Sequence, residues 1–344
     1  MVIRVETMRM KSTLKKDVHP GEGNDEREAQ VPNVRERRFE VDSNFEGWRL
    51  DQFLANRIPR ISRSFASRII RDGDLTIVPP RRAKASMRLL LGDMVILREH
   101  LEPEEVQDDE AGILYEDEVM LVLNKPAGML VHESASVRLN TMTHYLQRLG
   151  FSEAEPVHRL DRETSGVLVC AREHRWVAPL RGMFATDHPE KIYRVLVEDP
   201  RGVWTPGREQ TLETPLGPCA GSRLSIKMGE GRLRALTHVR ALGQRVVRGY
   251  ALSDLEVRIE TGRQHQIRAH LAMAGTPVAG DKLYSRDDAF FMAISDAPED
   301  AALLAQLPFE RQALHAWKIA LKNPKTGALL QVEAPVPEMW FEEA

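Results

Sequence analysis

The nine residues His158-Arg159-Leu160-Asp161-Arg162-Glu163-Thr164-Ser165-Gly166 constrain this chain more than any other stretch. They place one carboxylate, Asp161, between two arginines, beside a histidine and ahead of a Thr-Ser-Gly turn. Val167-Leu168-Val169-Cys170 follows at once, a short apolar run that reads as a buried strand. An acid on a loop that enters a buried strand is held in place, and fixed geometry is what a nucleophile or general base requires. The flanking arginines favour the ionised carboxylate and suit phosphate groups. An Asp that only ties down a turn through an arginine pair is the commoner arrangement for a generic Arg-flanked acid.

A chain of 344 residues has the length for two domains, or for one large domain with an appendage. Its net charge of -3 says nothing for a nucleic-acid partner, but the distribution does. Residues 48–98 hold 11 Lys and Arg against 4 Asp and Glu, whereas residues 99–118 hold 10 acidic residues and no Lys or Arg. That asymmetry predicts a basic module at 47–98 joined through an acidic linker, 99–112, to a larger domain at 113–341. Residues 1–43 are polar and aperiodic and are expected to be a disordered tail. Cys170 and Cys219 are the only cysteines, too few for a disulfide framework and not spaced as a zinc site. The reading is a reducing, cytoplasmic compartment. No apolar run approaches the roughly 18 residues a membrane span needs, and the N-terminus has no signal-type apolar core.

In the basic module, Leu50, Phe53, Leu54 and Ile58 recur at helical spacing. Ser62 and Ser64 are candidate caps for a second helix. Phe65, Ile69 and Ile70 would face inward from it, and Arg63, Arg68 and Arg71 mostly outward. Leu75–Val78 and Met94–Leu97 read as strands. In the larger domain, strands are expected at 119–123, 192–198 and 255–260, and helices at 141–149 and 264–274. A short surface helix is expected at 300–306.

Four further segments carry candidate chemistry. Asn124-Lys125-Pro126-Ala127-Gly128 fixes a turn before Val131-His132. Lys191-Ile192-Tyr193 presents a flat ring that can hold a splayed-out base or exchange a proton; a strand Tyr covering the core edge is the plain alternative. Thr261-Gly262-Arg263-Gln264-His265-Gln266-Ile267-Arg268-Ala269-His270 turns sharply into a helix whose N-terminus suits an anion. His265 and His270 are five apart, not the i, i+4 pair of a zinc helix, so a metal site is rejected. Gly280-Asp281-Lys282-Leu283-Tyr284 and Gln312-Ala313-Leu314-His315 read as structural or RNA-contacting segments and not catalytic ones, with Asp281 and Tyr284 as candidate loop stabilisers.

Together these segments resemble the RluA family of pseudouridine synthases, from the HRLD-x-x-TSG string through the K-x-Y and T-G-R-x-H-Q-I-R-x-H segments. The resemblance runs over nearly all of 47–340. It implies an α+β catalytic domain, a mixed, largely antiparallel sheet with flanking helices. Residues 47–98 resemble the ribosomal-protein-S-four-like RNA-binding domain, a small αβ module. They depart from it at Val78-Pro79-Pro80-Arg81-Arg82, where a Pro pair implies a stiff extended connection instead of a tight Asn-Gly turn.

By that resemblance Asp161 is catalytic, Tyr193 stacks on the target uracil and Arg268 pairs with Asp161. Arg159, Arg162, His158, Thr164, Lys125, Arg263, His265, Gln266, Arg63 and Arg68 are the expected substrate and RNA contacts. The implied reaction is isomerisation of uridine to pseudouridine in structured RNA, large-subunit ribosomal RNA before transfer RNA, with no cofactor and no metal. The partner is RNA and not a membrane, and the protein is expected to be a monomer. The contrasting reading is an RNA-binding or ribosome-assembly factor with a lapsed site. A two-carboxylate glycosidase finds only Glu163 as a near second acid.

Overall fold

The computed structural model describes residues 2–5, 34–58, 63–72, 75–100, 104, 106, 111–134 and 137–340. The expected cap Ser62, residues 6–33 of the expected tail and most of the acidic linker lie outside them. The chain divides into two compact units, residues 15–105 and the remainder.

Two stretches assigned to a disordered tail are strands. β1 (Val2–Val5) pairs in parallel with a strand at Leu329–Glu333 of the larger unit, and β2 (Val34–Glu40) is an edge of the module's sheet. β2 has the sequence VRERRFE, whose single aromatic, Phe39, packs on the module core. An edge strand with one apolar contact carries no legible apolar period.

After β2 the module continues with α1 (Leu50–Arg57), α2 (Arg63–Asp72), β3 (Leu75–Val78) and β4 (Met94–His100). β4 lies between β2 and β3, antiparallel to both. Leu50, Phe53, Leu54 and Ile58 are buried with Ile70, Leu75, Ile77, Val95 and Leu97, as their spacing requires. The Pro79-Pro80 connection is a turn entered through a cis peptide, not an extended link.

The larger unit contains β5 (Gly112–Glu116), β6 (Met120–Lys125), α3 (Met142–Arg148), β7 (Glu155–Pro156), β8 (Ser165–Ala171), α4 (Val177–Thr186) and β9 (Glu190–Glu198). There follow β10 (Glu209–Leu212), β11 (Leu216–Pro218), β12 (Met228–Glu230), β13 (Thr237–Val247), β14 (Tyr250–Ile259) and α5 (Gln266–Met273). α6 (Asp288–Asp296), α7 (Ala301–Leu304), β15 (Leu314–Lys322) and β16 (Leu329–Glu333) complete it. The main sheet runs β10-β13-β14-β9-β15-β8-β6-β5, with β16 beside β15 and β7 beside β8. Among the strands of the described residues, β15–β8 and β1–β16 are the parallel pairs, so the sheet is mixed and largely antiparallel.

All seven residues of β8 are buried, as its unbroken apolar sequence predicts for a strand covered on both faces. Leu168 and Cys170 pack with Leu121 and Leu123 on one face, beneath α3 and α5; Val167, Val169 and Ala171 pack with Met120 and Val122 on the other, beneath α4. Between β14 and α5, the helix begins later than its sequence suggests. His265 is the residue before it, in the left-handed region at φ 52°, and Gln264 is off the helix. The insertion near 285–310 holds two helices, not one, capped by Asp287 and Asp300, around Phe290, Ile294 and Leu307.

Candidate active site

The 158–164 loop enters β8 beside β15, and four other parts of the chain hold it. Lys125 is fully buried, and its Nζ donates to the carbonyls of Pro126 (2.7 Å), Arg162 (3.1 Å) and Thr164 (2.9 Å). Gly128 and Arg162 are joined twice: the Gly128 N–H donates to the Arg162 carbonyl, and Arg162 Nε donates to the Gly128 carbonyl, both at 2.8 Å. Gln312 Nε2 donates to Thr164 Oγ1 at 2.7 Å, and its backbone N–H donates to Glu163, which also pairs with Lys282. His158 Nε2 accepts the Val169 N–H at 2.9 Å while its ring stacks on Phe184. Burial, aided by Lys191, pushes the His158 pKa down to about 3, so the ring is neutral.

Four of the expected RNA contacts make hydrogen bonds within the protein. Lys125, Thr164, His158 and Gln266 have their polar atoms engaged within the protein. Gln266 is buried, accepting from Thr261 Oγ1 and the Arg263 N–H and donating to the Leu236 carbonyl and Thr237 Oγ1. Arg159, Arg162 and Arg263 are exposed, and Arg159 and Arg263 line the cleft. Arg68 is exposed on the module, and the Arg63 side chain lies outside the described part. Glu163, the one candidate for a glycosidase acid, is bound to Lys282.

The rigid loop presents Asp161 to a cleft of about 160 Å³, room for about five waters by liquid volume. Tyr193 from β9, Ile259 from the end of β14, Leu314 from β15, and His265 and Arg268 line it. Tyr193 sits opposite Val257 on one neighbouring strand and Ala316 on the other, which fixes its ring beside the loop. Arg268 Nη1 donates to Asp161 Oδ2 at 2.9 Å. This is the pair the sequence resemblance implied.

The sequence reading missed what lies behind Arg268. Asp281 is fully buried and takes the other side of the guanidinium: Nε donates to Oδ2 at 2.6 Å and Nη2 to Oδ1 at 2.9 Å. Tyr284, also read only as a loop stabiliser, lies 5.1 Å under the same guanidinium. Its hydroxyl accepts the Met228 N–H at 2.8 Å and lies 3.1 Å from His265 Nδ1. His265 Nε2 lies 3.9 Å from Asp161 Oδ2. The signal was present in the Gly-Asp-Lys-Leu-Tyr segment, but nothing local says which cation Asp281 meets.

Burial would raise the Asp161 pKa, but Arg268, with His265 and Arg159, more than offsets it and holds the carboxyl below its usual range. Burial and the Arg268 charge push His265 down to about 4. Burial, and then the Asp161 charge, raise the Tyr193 phenol far above neutrality, so it stays protonated. A depressed carboxyl contributes stability above its unfolded value, near 3.9, that is lost as pH falls through the folded one. Its ionised form therefore persists throughout the neutral range. The single-turnover rate at saturating RNA is expected to be flat between about pH 5.5 and 8 as far as these groups decide it. An acid limb near the ordinary histidine value, about 6.5, would show that a site imidazole titrates instead. Among the described residues no cluster of three or more His, Cys, Asp or Glu is placed to hold a metal ion, and no helix is long and apolar enough to cross a membrane.

The family model for RNA pseudouridylate synthase matches residues 119–273. Ribosomal large subunit pseudouridine synthase D of Pseudomonas aeruginosa is 32% identical over 325 residues, 90% of this chain and 96% of that protein. The protein of the same name from Escherichia coli O157:H7 is 31% identical over 314 residues, 88% of this chain and 91% of the relative. The solved structure of human RNA Pseudouridylate Synthase Domain Containing 1 covers 68% of this chain and 86% of its own, at 23% identity and a TM-score of 0.50, a likeness of fold. The chain belongs to the RNA pseudouridylate synthase family.

Proposed function

We propose that this enzyme converts uridine to pseudouridine in large-subunit ribosomal RNA, with Asp161 as the reacting carboxylate. The observation that carries the reading is Asp161, bonded to Arg268 in a small cleft that Tyr193 also lines. The relatives named for large-subunit ribosomal RNA align along nearly the whole chain, which supports that RNA over transfer RNA.

In the reaction the N1–C1′ bond breaks, the base turns, a C5–C1′ bond forms, the C5 proton leaves and N1 gains a proton. The target base must first leave its stack. Tyr193, protonated and flat, stacks on the uracil. Asp161 either attacks C1′ directly or removes a sugar proton to give a glycal, and both routes need the same free carboxylate oxygen. Arg159, Arg162 and Arg263 hold phosphates around the displaced nucleotide. The basic 47–98 module acts as an S-four-like RNA-binding domain, with Arg63 and Arg68 among its expected RNA contacts. A cytoplasmic location and a monomer complete the reading.

The test is carbodiimide mapping of pseudouridine in total RNA from cells lacking the gene, complemented with wild type or Asp161→Ala. One reverse-transcription stop in large-subunit ribosomal RNA is expected to vanish on deletion and return with wild type alone. A stop lost from transfer RNA would move the substrate. No lost stop, or rescue by Asp161→Ala, would leave an RNA-binding assembly factor.

A further inference from the structure

Arg268 lies between two carboxylates, and it treats them unequally. Asp281 receives the fork, Nε and Nη2, on both of its oxygens, whereas Asp161 receives one N–H from Nη1 on Oδ2. Asp281 cannot turn away, because its Oδ1 also accepts the N–H groups of Leu283 (3.0 Å) and Tyr284 (3.1 Å). It is completely buried, while the Asp161 side chain is 20% exposed. Among the described residues no donor sits on Asp161 Oδ1.

An arginine with a free fork prefers to grip a carboxylate with two parallel N–H···O bonds. Turned on Asp161, that grip would cover both oxygens and oppose any reaction at either. We propose that Asp281 is a positioning residue that grips the Nε–Nη2 edge of Arg268 and fixes the plane of the guanidinium, so that Arg268 aims Asp161 through Nη1 and one oxygen and leaves Oδ1 open to the substrate. Asp281 also shares the guanidinium charge, so Asp161 faces less than a full positive charge and keeps more of its reactivity toward carbon or proton. Asp281 touches neither substrate nor reacting atoms; it acts only through Arg268.

This inference rests on the pseudouridine synthase reading above, and its test separates the two. The full chain is assayed as wild type, Asp281→Asn, Arg268→Lys and the double variant. The substrate is ribosomal RNA purified from cells lacking the gene. Three quantities are read: the single-turnover rate at saturating RNA, RNA affinity by filter binding, and the thermal midpoint. Asp281→Asn keeps the shape and an acceptor for the two backbone N–H groups. It is expected to slow the chemical step roughly 10- to 100-fold, as the loss of an orienting partner does, with RNA affinity within about twofold. Lysine has no fork to occupy. In the Arg268→Lys background the same Asp281→Asn change is therefore expected to cost less than about threefold, a non-additivity that marks action through Arg268.

A wild-type rate for Asp281→Asn would overturn the inference, as would an equal loss in both backgrounds, the sign of a merely structural role. Asp281→Ala serves as the second variant if the amide prevents folding. If neither folds while Arg268→Lys does, Asp281 is structural and the inference falls. Wild-type protein that forms no pseudouridine in this RNA overturns the proposed function, and the inference with it.

Discussion

Asp161→Asn is expected to bind ribosomal RNA as wild type does and to form pseudouridine at least about 10⁴-fold more slowly, the scale of removing a reacting group. The amide has the shape of the carboxylate, and its oxygen can still accept the Arg268 Nη1 proton now bonded at 2.9 Å. Arg268 keeps its two bonds to Asp281, so no buried cation is stranded and the fold is expected to hold. Affinity for RNA rests on phosphate contacts and stacking, which the change leaves in place. What disappears is the charge and the electron pair, needed equally for attack at C1′ and for proton removal. Single-turnover assays beside filter binding decide the matter. Turnover within tenfold of wild type would remove Asp161 from the chemistry, and a parallel loss of RNA affinity would make its role one of binding.

Gly166→Ala is expected to lower stability by at least about 3 kcal/mol, the sum of backbone strain and overpacking in a close-packed interior. In a domain of this size that is a fall in thermal midpoint of roughly 10 °C. Two constraints meet at this residue. Its φ of 110° lies where a side chain is strained. A Cβ there would also sit 2.8 Å from the Ala316 amide nitrogen, and closer still to the Ala316 carbonyl. Gly166 pairs with Ala316 where β8 and β15 run parallel, at the foot of the loop that carries Asp161. Neither strand can retreat, because β8 is buried along its whole length and β9 and β16 flank β15. The glycine of the Thr-Ser-Gly string thus answers to backbone approach and not to RNA. Thermal denaturation of the variant checks this, and a midpoint within about 2 °C of wild type would refute it.

Much of the site was legible because its pieces are local. His158 to Gly166 announced a constrained acid, the Lys-x-Tyr segment placed a ring on a strand, and the Thr-Gly-Arg segment placed Arg268 on a helix. The apolar runs of β6 and β8 read correctly as covered strands. Other elements were hidden for physical reasons. β2 is a charged edge strand whose burial rests on Phe39, and β1 takes its partner from the far end of the chain. α6 lies in an insertion with a small core of its own and no link to the main apolar pattern. Lys125, Thr164 and Gln266 were expected contacts by resemblance, and the structure shows their side chains hydrogen-bonded within the protein. A polar group inside a motif serves backbone carbonyls as readily as it serves RNA, and only burial tells the two apart.

The sequence by itself determined which chemical groups are present and which short loops hold them, because turns, strand runs and helix starts depend on near neighbours. Only the tertiary structure decided how those groups share charge and hydrogen bonds. Arg268 is 107 residues from Asp161 and 13 from Asp281, and its fork goes to Asp281. That choice depends on burial and on the backbone donors of Leu283 and Tyr284, which no residue's type encodes. A carboxylate's reactivity is set by what surrounds it in space, and here the surroundings come from the 158–164 loop, β9, α5 and the turn at Asp281 packed around a single cleft.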